Sequence, residues 1–225
     1  MSRGLLVVRP EPGNARTLAR LRAAGATVVG WPLFAAAPVA WQAPDLAAHD
    51  ALLVTSANAV RLAGDGLTRL ASLPVIAVGD ETAAVARAAG LHVAATGIGG
   101  VGEALAAGRA AGLLRPLHLA GREHVDSGHP TVIVYASADV DTDPHAFAAA
   151  AADRIVLLHS VRAAERVSAL IPQARATTRL VALSAKVAQA AGMGWADIAI
   201  AAIPTDAALC ALAIDRAAGG GDKRP

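Results

Sequence analysis

Cysteine, lysine and aromatic residues are nearly missing from this 225-residue sequence. The single cysteine, Cys210, excludes an intramolecular disulfide and any multi-cysteine zinc site. Its apolar, helical surroundings mark it as a packed core thiol. The only lysines are Lys186 and Lys223, so the positive charge is almost all arginine, and it is scattered. With no basic block and 3% aromatics, the chain lacks the stripe and the stacking platforms of a nucleic-acid binder. No apolar run approaches the roughly 18 residues of a bilayer span; Ile198 to Ile214 is broken by Pro204-Thr205-Asp206. The opening run Leu5-Leu6-Val7-Val8 is shorter than the core of a secretory leader, about 7–15 residues. A cytoplasmic location, with neither nucleic acid nor membrane as partner, is therefore expected. No repeat period of roughly 20–50 residues is present, which excludes a solenoid.

What the sequence does contain is 55% hydrophobic residues, with alanine roughly a quarter of the chain, and a net charge of +2. Short apolar runs alternate with helical stretches, the pattern of an α/β protein with mostly parallel sheet. Strands are expected at Leu5–Val8, Thr27–Trp31, Ala51–Thr55, Val75–Val78, His92–Ala95 and Leu117–Ala120, and an extended run at Thr131–Ala136. Between them Gly13–Ala24 and Glu81–Ala89 read as helices, one begins near Asn58, and another begins at Glu103. A later block then repeats this series. Val156–Ser160 matches Leu52–Ser56, Val181–Ser184 matches Ile76–Gly79, and both blocks close on a turn and a helix, the last being Pro204–Ile214.

Two copies of one βαβ series predict two similar doubly wound parallel-sheet domains. The opening βαβ, residues 3–31, is too short to stand alone and needs another sheet to join. Segments 32–40 and 131–137 are expected to run side by side as a two-strand tether. The layout is then a discontinuous domain of residues 1–34 and 137–217, an inserted domain of 40–130, and a disordered tail of 218–225. The cleft between the domains is the default ligand site.

Several motifs invite chemistry. Gly97-Ile98-Gly99-Gly100-Val101-Gly102 fits G-x-G-x-x-G between a strand and a helix. It closes its domain instead of opening it, and the acidic residue expected about 20 positions on is only loosely met by Glu123. A glycine turn at a helix start suits a carboxylate as well as a pyrophosphate. His118, Glu123, His124, Asp126 and His129 crowd together as an exposed loop after a strand, without the spacing of a metal site. Asp139, Asp141 and Asp143 resemble the start of a calcium loop, but Pro144 stands where the glycine belongs and the distal glutamate is missing. Ser56 and Ser160 each end a strand and open a helix. They read either as N-caps or as ligand contacts at carboxyl strand ends, with Gly79–Thr82 and Ser184–Lys186 in the equivalent turns.

The constellation resembles the uroporphyrinogen-III synthase family from about residue 3 to 215. It is carried by Val8-Arg9-Pro10, Thr55-Ser56-Ala57-Asn58-Ala59-Val60, Val78-Gly79-Asp80-Glu81-Thr82, Val134-Tyr135, His159-Ser160, Leu183-Ser184 and Pro204-Thr205. The resemblance implies two α/β domains joined by a β-ladder and a cofactor- and metal-free cyclisation of linear hydroxymethylbilane, with ring D inverted and water lost. It puts the family's cleft tyrosine on Tyr135 and its strand-end threonine on Thr82, as the catalytic pair. Ser56 and Ser160 take the places of the family's strand-end serines. Backbone N–H groups after Ser56 (Ala57, Asn58), Gly79, Gly99, Ser160 and Ser184 would hold substrate carboxylates, with charge from Arg9, Arg122 and Lys186. A monomer is implied, with a small-molecule linear tetrapyrrole as partner, handed over by the enzyme that makes the bilane.

Two features depart from the family. No helix follows Ala120, and the turn after Leu183 reads Ser184-Ala185-Lys186. The shortened stretch keeps a second reading open, a non-catalytic two-domain module binding a tetrapyrrole or another anion. A nucleotide-dependent oxidoreductase built on Gly97–Gly102 is a third. An amino-acid racemase, which needs two opposed acid–base groups, commonly cysteines, is disfavoured by the lone Cys210.

Overall fold

A computed structural model describes residues 2–219. Residues 220–225, most of the tail expected to be disordered, lie outside the described residues. The chain forms two compact units, one made of the residues up to Ala35 and from Asp139 on, the other of Ala36–Ala138.

In chain order the first unit opens with β1 (Gly4–Val7), α1 (Gly13–Ala23) and β2 (Val28–Gly30), and β3 (Phe34–Pro38) leads out of it. The second unit follows with β4 (Ala51–Val54), α2 (Ala57–Leu62), α3 (Gly66–Leu70), β5 (Val75–Val78), α4 (Asp80–Ala88), β6 (Val93–Gly97), α5 (Val101–Ala110), β7 (Pro116–Gly121) and β8 (Thr131–Asp139). The chain then returns through α6 (Pro144–Ala151), β9 (Arg154–Leu158), α7 (Val161–Leu170), β10 (Arg179–Ala182), α8 (Ala185–Ala191), β11 (Asp197–Ile200) and α9 (Asp206–Ala217).

The first sheet has the order β11-β10-β9-β1-β2 and is parallel throughout. Successive strand residues point to opposite faces, and here both faces are covered. Leu6, Val8, Val156, Leu158 and Leu180 enter one core with Phe147 of α6 and Val167 of α7. Leu5, Val7, Ile155, Leu157 and Val181 enter the other, with Leu21 of α1 and Leu209 and Cys210 of α9. Such two-sided burial is why these strands read as unbroken apolar runs.

The second sheet has the order β3-β8-β7-β4-β5-β6. It is parallel from β8 to β6, and β3 runs antiparallel to β8 as the tether. Leu52, Val54, Val75, Ala77, Leu117 and Leu119 pack against α2 and α4 through Ala59, Val60, Ala83 and Ala86. Ala51, Leu53 and Ile76 pack with Ala104 of α5 on the other face. The expected α/β architecture, two parallel-sheet domains with a two-strand tether, is therefore present.

As the sequence reading expected, no helix follows Ala120, while other details differ from it. Parallel neighbours usually need a crossover of about a dozen residues or more, most often helical; β7 and β8 are joined by residues 122–130 with no helix. β8 also runs on to Asp139 and pairs with β7, so the tether continues into the sheet. The α5 helix begins at Val101, two residues before Glu103, and α9 extends to Ala217. Two members of the acidic triplet, Asp139 and Asp143, are structural. Asp143 caps α6 by accepting from the His145 N–H at 3.0 Å, with Pro144 in the first turn, and Asp139 pairs with Arg162 and Arg166.

Candidate functional site

The carboxyl ends of β4, β5, β6 and β7 converge in the second unit on a cavity of about 500 Å³. Its walls are Thr55 and Ser56 after β4, Val78 of β5, Gly100–Gly102 at the start of α5, Gly121 of β7, Glu123–Val125 of the following connection, and Tyr135 of β8. This is the end of an open parallel sheet where ligands bind. Another hollow, of about 550 Å³, lies at the amino ends of β1 and β9 in the first unit, the end such sheets do not use.

Local packing fixes Tyr135. The β7–β8 register shifts between Ala120 and Gly121, bringing Gly121 opposite Tyr135. The ring lies over Gly121 so closely that any β-carbon there would overlap it. The Tyr135 carbonyl accepts from the Arg122 N–H at 2.9 Å. Thr55 is held from behind. Its Oγ1 is 3.1 Å from His118 Nε2, and His118 Nδ1 is 3.1 Å from Ser127 Oγ. His118, expected within an exposed loop cluster, is wholly buried in β7. Burial, reinforced by the nearby His124 and His129 and opposed by Asp126, pushes its pKa down to about 4. The neutral ring therefore donates from one nitrogen and accepts at the other. His124 sits edge-on to it, with ring centroids 5.3 Å apart.

The glycine-rich turn serves its own helix. The Gly99 N–H donates to Glu103 Oε2 at 2.6 Å and the Ile98 N–H to Oε1 at 3.4 Å, so both amides are already occupied by a carboxylate. A β-carbon on Gly97 would overlap the backbone of Ala104, so that glycine lets α5 approach the sheet. Nothing in this arrangement favours a pyrophosphate. Among the described residues no cluster of His, Cys, Asp and Glu could hold a metal ion.

The other sequence candidates fall as follows. Ser56, Ser160 and Ser184 are N-caps, accepting from the N–H groups of Asn58 (3.2 Å), Ala163 (3.2 Å) and Val187 (3.4 Å). Ser56 also lines the cavity. Ala57 and Asn58 lie in the first turn of α2, Gly79 is the cap residue of α4, and Thr82, 5% exposed, is buried in the first turn of α4 outside the cavity wall. Arg122 is exposed at the start of the β7–β8 connection, and Lys186 is exposed in the first turn of α8. The structure thus gathers Ser56 and Tyr135 on one cavity. Arg9, Ser160, Ser184 and Lys186 belong to the first unit.

Arg9 is engaged within that unit, in a network the sequence reading missed. Its Nη1 is 3.2 Å from both Thr17 Oγ1 and Asp206 Oδ1. The Asp206 carboxylate also accepts from Thr17 Oγ1 at 2.6 Å, His159 Nε2 at 3.0 Å and Arg20 Nε at 3.1 Å. Burial pushes the Asp206 carboxyl up, but the hydrogen bonds from Thr17, His159 and Arg20 outweigh it and hold the group below its usual range. Burial dominates at His159 and pushes its pKa down, with Asp206 opposing. A single Asp in the first turn of a helix was the only local signal, since anions favour helix starts.

Fold and cavity together define a two-domain α/β protein with one parallel-sheet domain inserted in another and a pocket at its strand ends. The family profile described as uroporphyrinogen-III synthase HemD matches residues 15–127, and the chain belongs to that family. Among solved structures it is similar to the uroporphyrinogen-III synthetase of Helicobacter pylori 26695, with 18% identity over 95% of this chain and 99% of that one, at a TM-score of 0.52. Uroporphyrinogen III synthase from the extremely thermophilic bacterium Thermus thermophilus aligns over 96% of this chain and 98% of its own, at 14% identity and a TM-score of 0.40, a likeness too low to add to the fold assignment. No curated relative matches the sequence. Among the described residues no helix is long and apolar enough to cross a membrane.

Proposed function

We propose that the protein is a uroporphyrinogen-III synthase of tetrapyrrole biosynthesis, cyclising hydroxymethylbilane with inversion of ring D and loss of water. The observation that carries this reading is the Tyr135-walled cavity at the carboxyl ends of β4–β7 in a chain of this family. The bilane loses its hydroxyl to give a cationic azafulvene. Ring D attacks at its own substituted carbon to give a spiro intermediate, which fragments and recloses as the inverted isomer. Direct closure is the easier path without enzyme, so the protein must act chiefly by holding the two chain ends in register. Tyr135 donates a hydrogen bond to the departing oxygen. N–H groups at the start of α4, and those of Gly100–Gly102 at the start of α5 beyond the two that Glu103 holds, receive substrate carboxylates; Ser56 lines the same wall, with Ala57 and Asn58 following it in α2. Thr82 supports the α4 turn from within.

The helix-less connection 122–130 favours one alternative, a module that binds a tetrapyrrole or another anion without converting it. Freshly made hydroxymethylbilane, supplied to the purified chain and followed by separation of the oxidised products, decides between them. A dominant type III isomer is expected. Only the spontaneous type I isomer from folded protein refutes the synthase reading.

A further inference from the structure

The short connection between β7 and β8 does more than close the sheet; it lays an imidazole into the cavity wall. His124 Nδ1 is 2.8 Å from the Gly121 carbonyl oxygen and 3.3 Å from that of Arg122. Both partners can only accept, so Nδ1 carries a hydrogen and donates. In the neutral ring the lone pair, and with it the exchangeable position, is therefore on Nε2. The ring is further steadied by its edge-on contact with His118, which the hydroxyls of Thr55 and Ser127 hold on both nitrogens. His124 shares the wall with Tyr135 and Ser56. A fixed tautomer, a supporting ring behind it and a place in a cavity wall are the arrangement of a proton-transfer imidazole.

We propose that His124 is the proton carrier of this cavity, giving a proton from Nε2 to the departing hydroxyl and taking one back when the macrocycle closes. This deepens the synthase reading and rests on it. In the first step the ring acts as the imidazolium, with a hydrogen on both nitrogens: the C–O bond breaks with its electron pair going to oxygen, the oxygen takes the Nε2 proton, water leaves, and His124 is left neutral with its Nε2 lone pair free. The pyrrole nitrogen's lone pair fills the vacated carbon as the azafulvenium forms. In the last step the new carbon–carbon bond forms, and the proton on the attacking pyrrole carbon returns to His124 Nε2. One water is lost, His124 is regenerated, and no oxidant or reductant is used. Tyr135, donating a hydrogen bond to the same oxygen, keeps its own proton.

The charged and titratable groups around His124 are His118 from β7, Arg122, Glu123, Asp126 and His129 from its own connection, and Tyr135 from β8. His124→Asn separates chemistry from architecture, because its amide N–H can still donate to the Gly121 carbonyl while the side chain carries no exchangeable Nε2. The test measures kcat and KM with fresh hydroxymethylbilane from pH 6 to 8.5, with isomers separated, for the wild-type chain, H124N and H124A. Expected for H124N are a KM within about twofold, a kcat lower by about 100-fold, type III still the enzymatic product, and a flatter dependence of kcat on pH. Added imidazole should restore part of the H124A rate. An H124N chain with unchanged kcat and pH profile overturns the proposal, as does a loss confined to KM. A wild-type chain that forms only the type I isomer overturns both the proposal and the synthase reading beneath it.

Discussion

Acid should loosen the second unit through one buried ring. His118 lies in β7 with no exposed surface, and its pKa falls from an ordinary 6.5 to about 4. A group with a depressed folded pKa binds fewer protons folded than unfolded between those two values, so stability rises with pH across that window. His118 therefore subtracts nothing above about pH 7 and progressively destabilises the unit as the pH falls toward 4. The difference of about 2.5 pH units corresponds to about 3 kcal/mol. Replacing His118 with Gln, which can still meet the Thr55 and Ser127 hydroxyls, removes the titration. The assay is urea unfolding at pH 7.5, 6, 5 and 4.2, with pulsed hydrogen exchange of peptides spanning β4 and β7 to read the second unit separately from the first. The wild-type midpoint should fall more steeply than that of H118Q. With a urea slope of about 2 kcal/mol per molar, the gap closes by about 1.5 M between pH 7.5 and 4.2. Parallel pH curves would refute the reasoning.

Three further outcomes are expected. Asp206→Asn should destabilise the first unit by about 2 kcal/mol, since charge-assisted bonds to Arg9, Arg20 and His159 are lost. The Asp206 pKa is depressed on folding, and Asp206 supports the charged form of His159, so that gap should not narrow from pH 8 to 5 and should close only below about pH 4; a gap already shrinking at pH 6 in urea titrations would count against the network. Tyr135→Phe should lower kcat about tenfold with little change in KM, the loss of one hydrogen bond made at the departing oxygen; equal rates would remove Tyr135 from that role. Glu123→Gln should lower KM for the polycarboxylate substrate roughly two- to threefold, since one repelling charge leaves a water-exposed wall; an unchanged or higher KM would mean that substrate carboxylates bind elsewhere.

The βα alternation was legible because strands buried on both faces must be apolar at every position, as Leu5-Leu6-Val7-Val8 and Leu52-Leu53-Val54 are. The helix α6 was not, although Asp143-Pro144 is a capping signal, because the acidic spacing around it was weighed only as a calcium loop and set aside, and alanine blurs helical periodicity. Ser56 could be singled out as a candidate from its place at a strand end, and Tyr135 through the family resemblance. The cavity joining them depends on a register shift between β7 and β8 that no local pattern encodes. The same holds for Asp206, whose partner Thr17 is 189 residues away in the chain, and for His118, whose burial follows from strand order alone.

The central position of β1 in its sheet, between β2 and β9, sets an order of events on the ribosome. The second unit is contiguous, Ala36–Ala138, and can complete itself as soon as it has emerged. The strand β1 precedes that unit in the chain, yet its partner β9 begins only at Arg154. At about 5–20 residues per second, the apolar stretch Leu5–Val8 waits roughly 7–30 seconds for the neighbour that covers it. In a nascent chain a segment made before the inserted unit is thus sheltered only after it, and variants that weaken β9 or α9 should lower the yield of folded protein more than equal damage to the inserted unit.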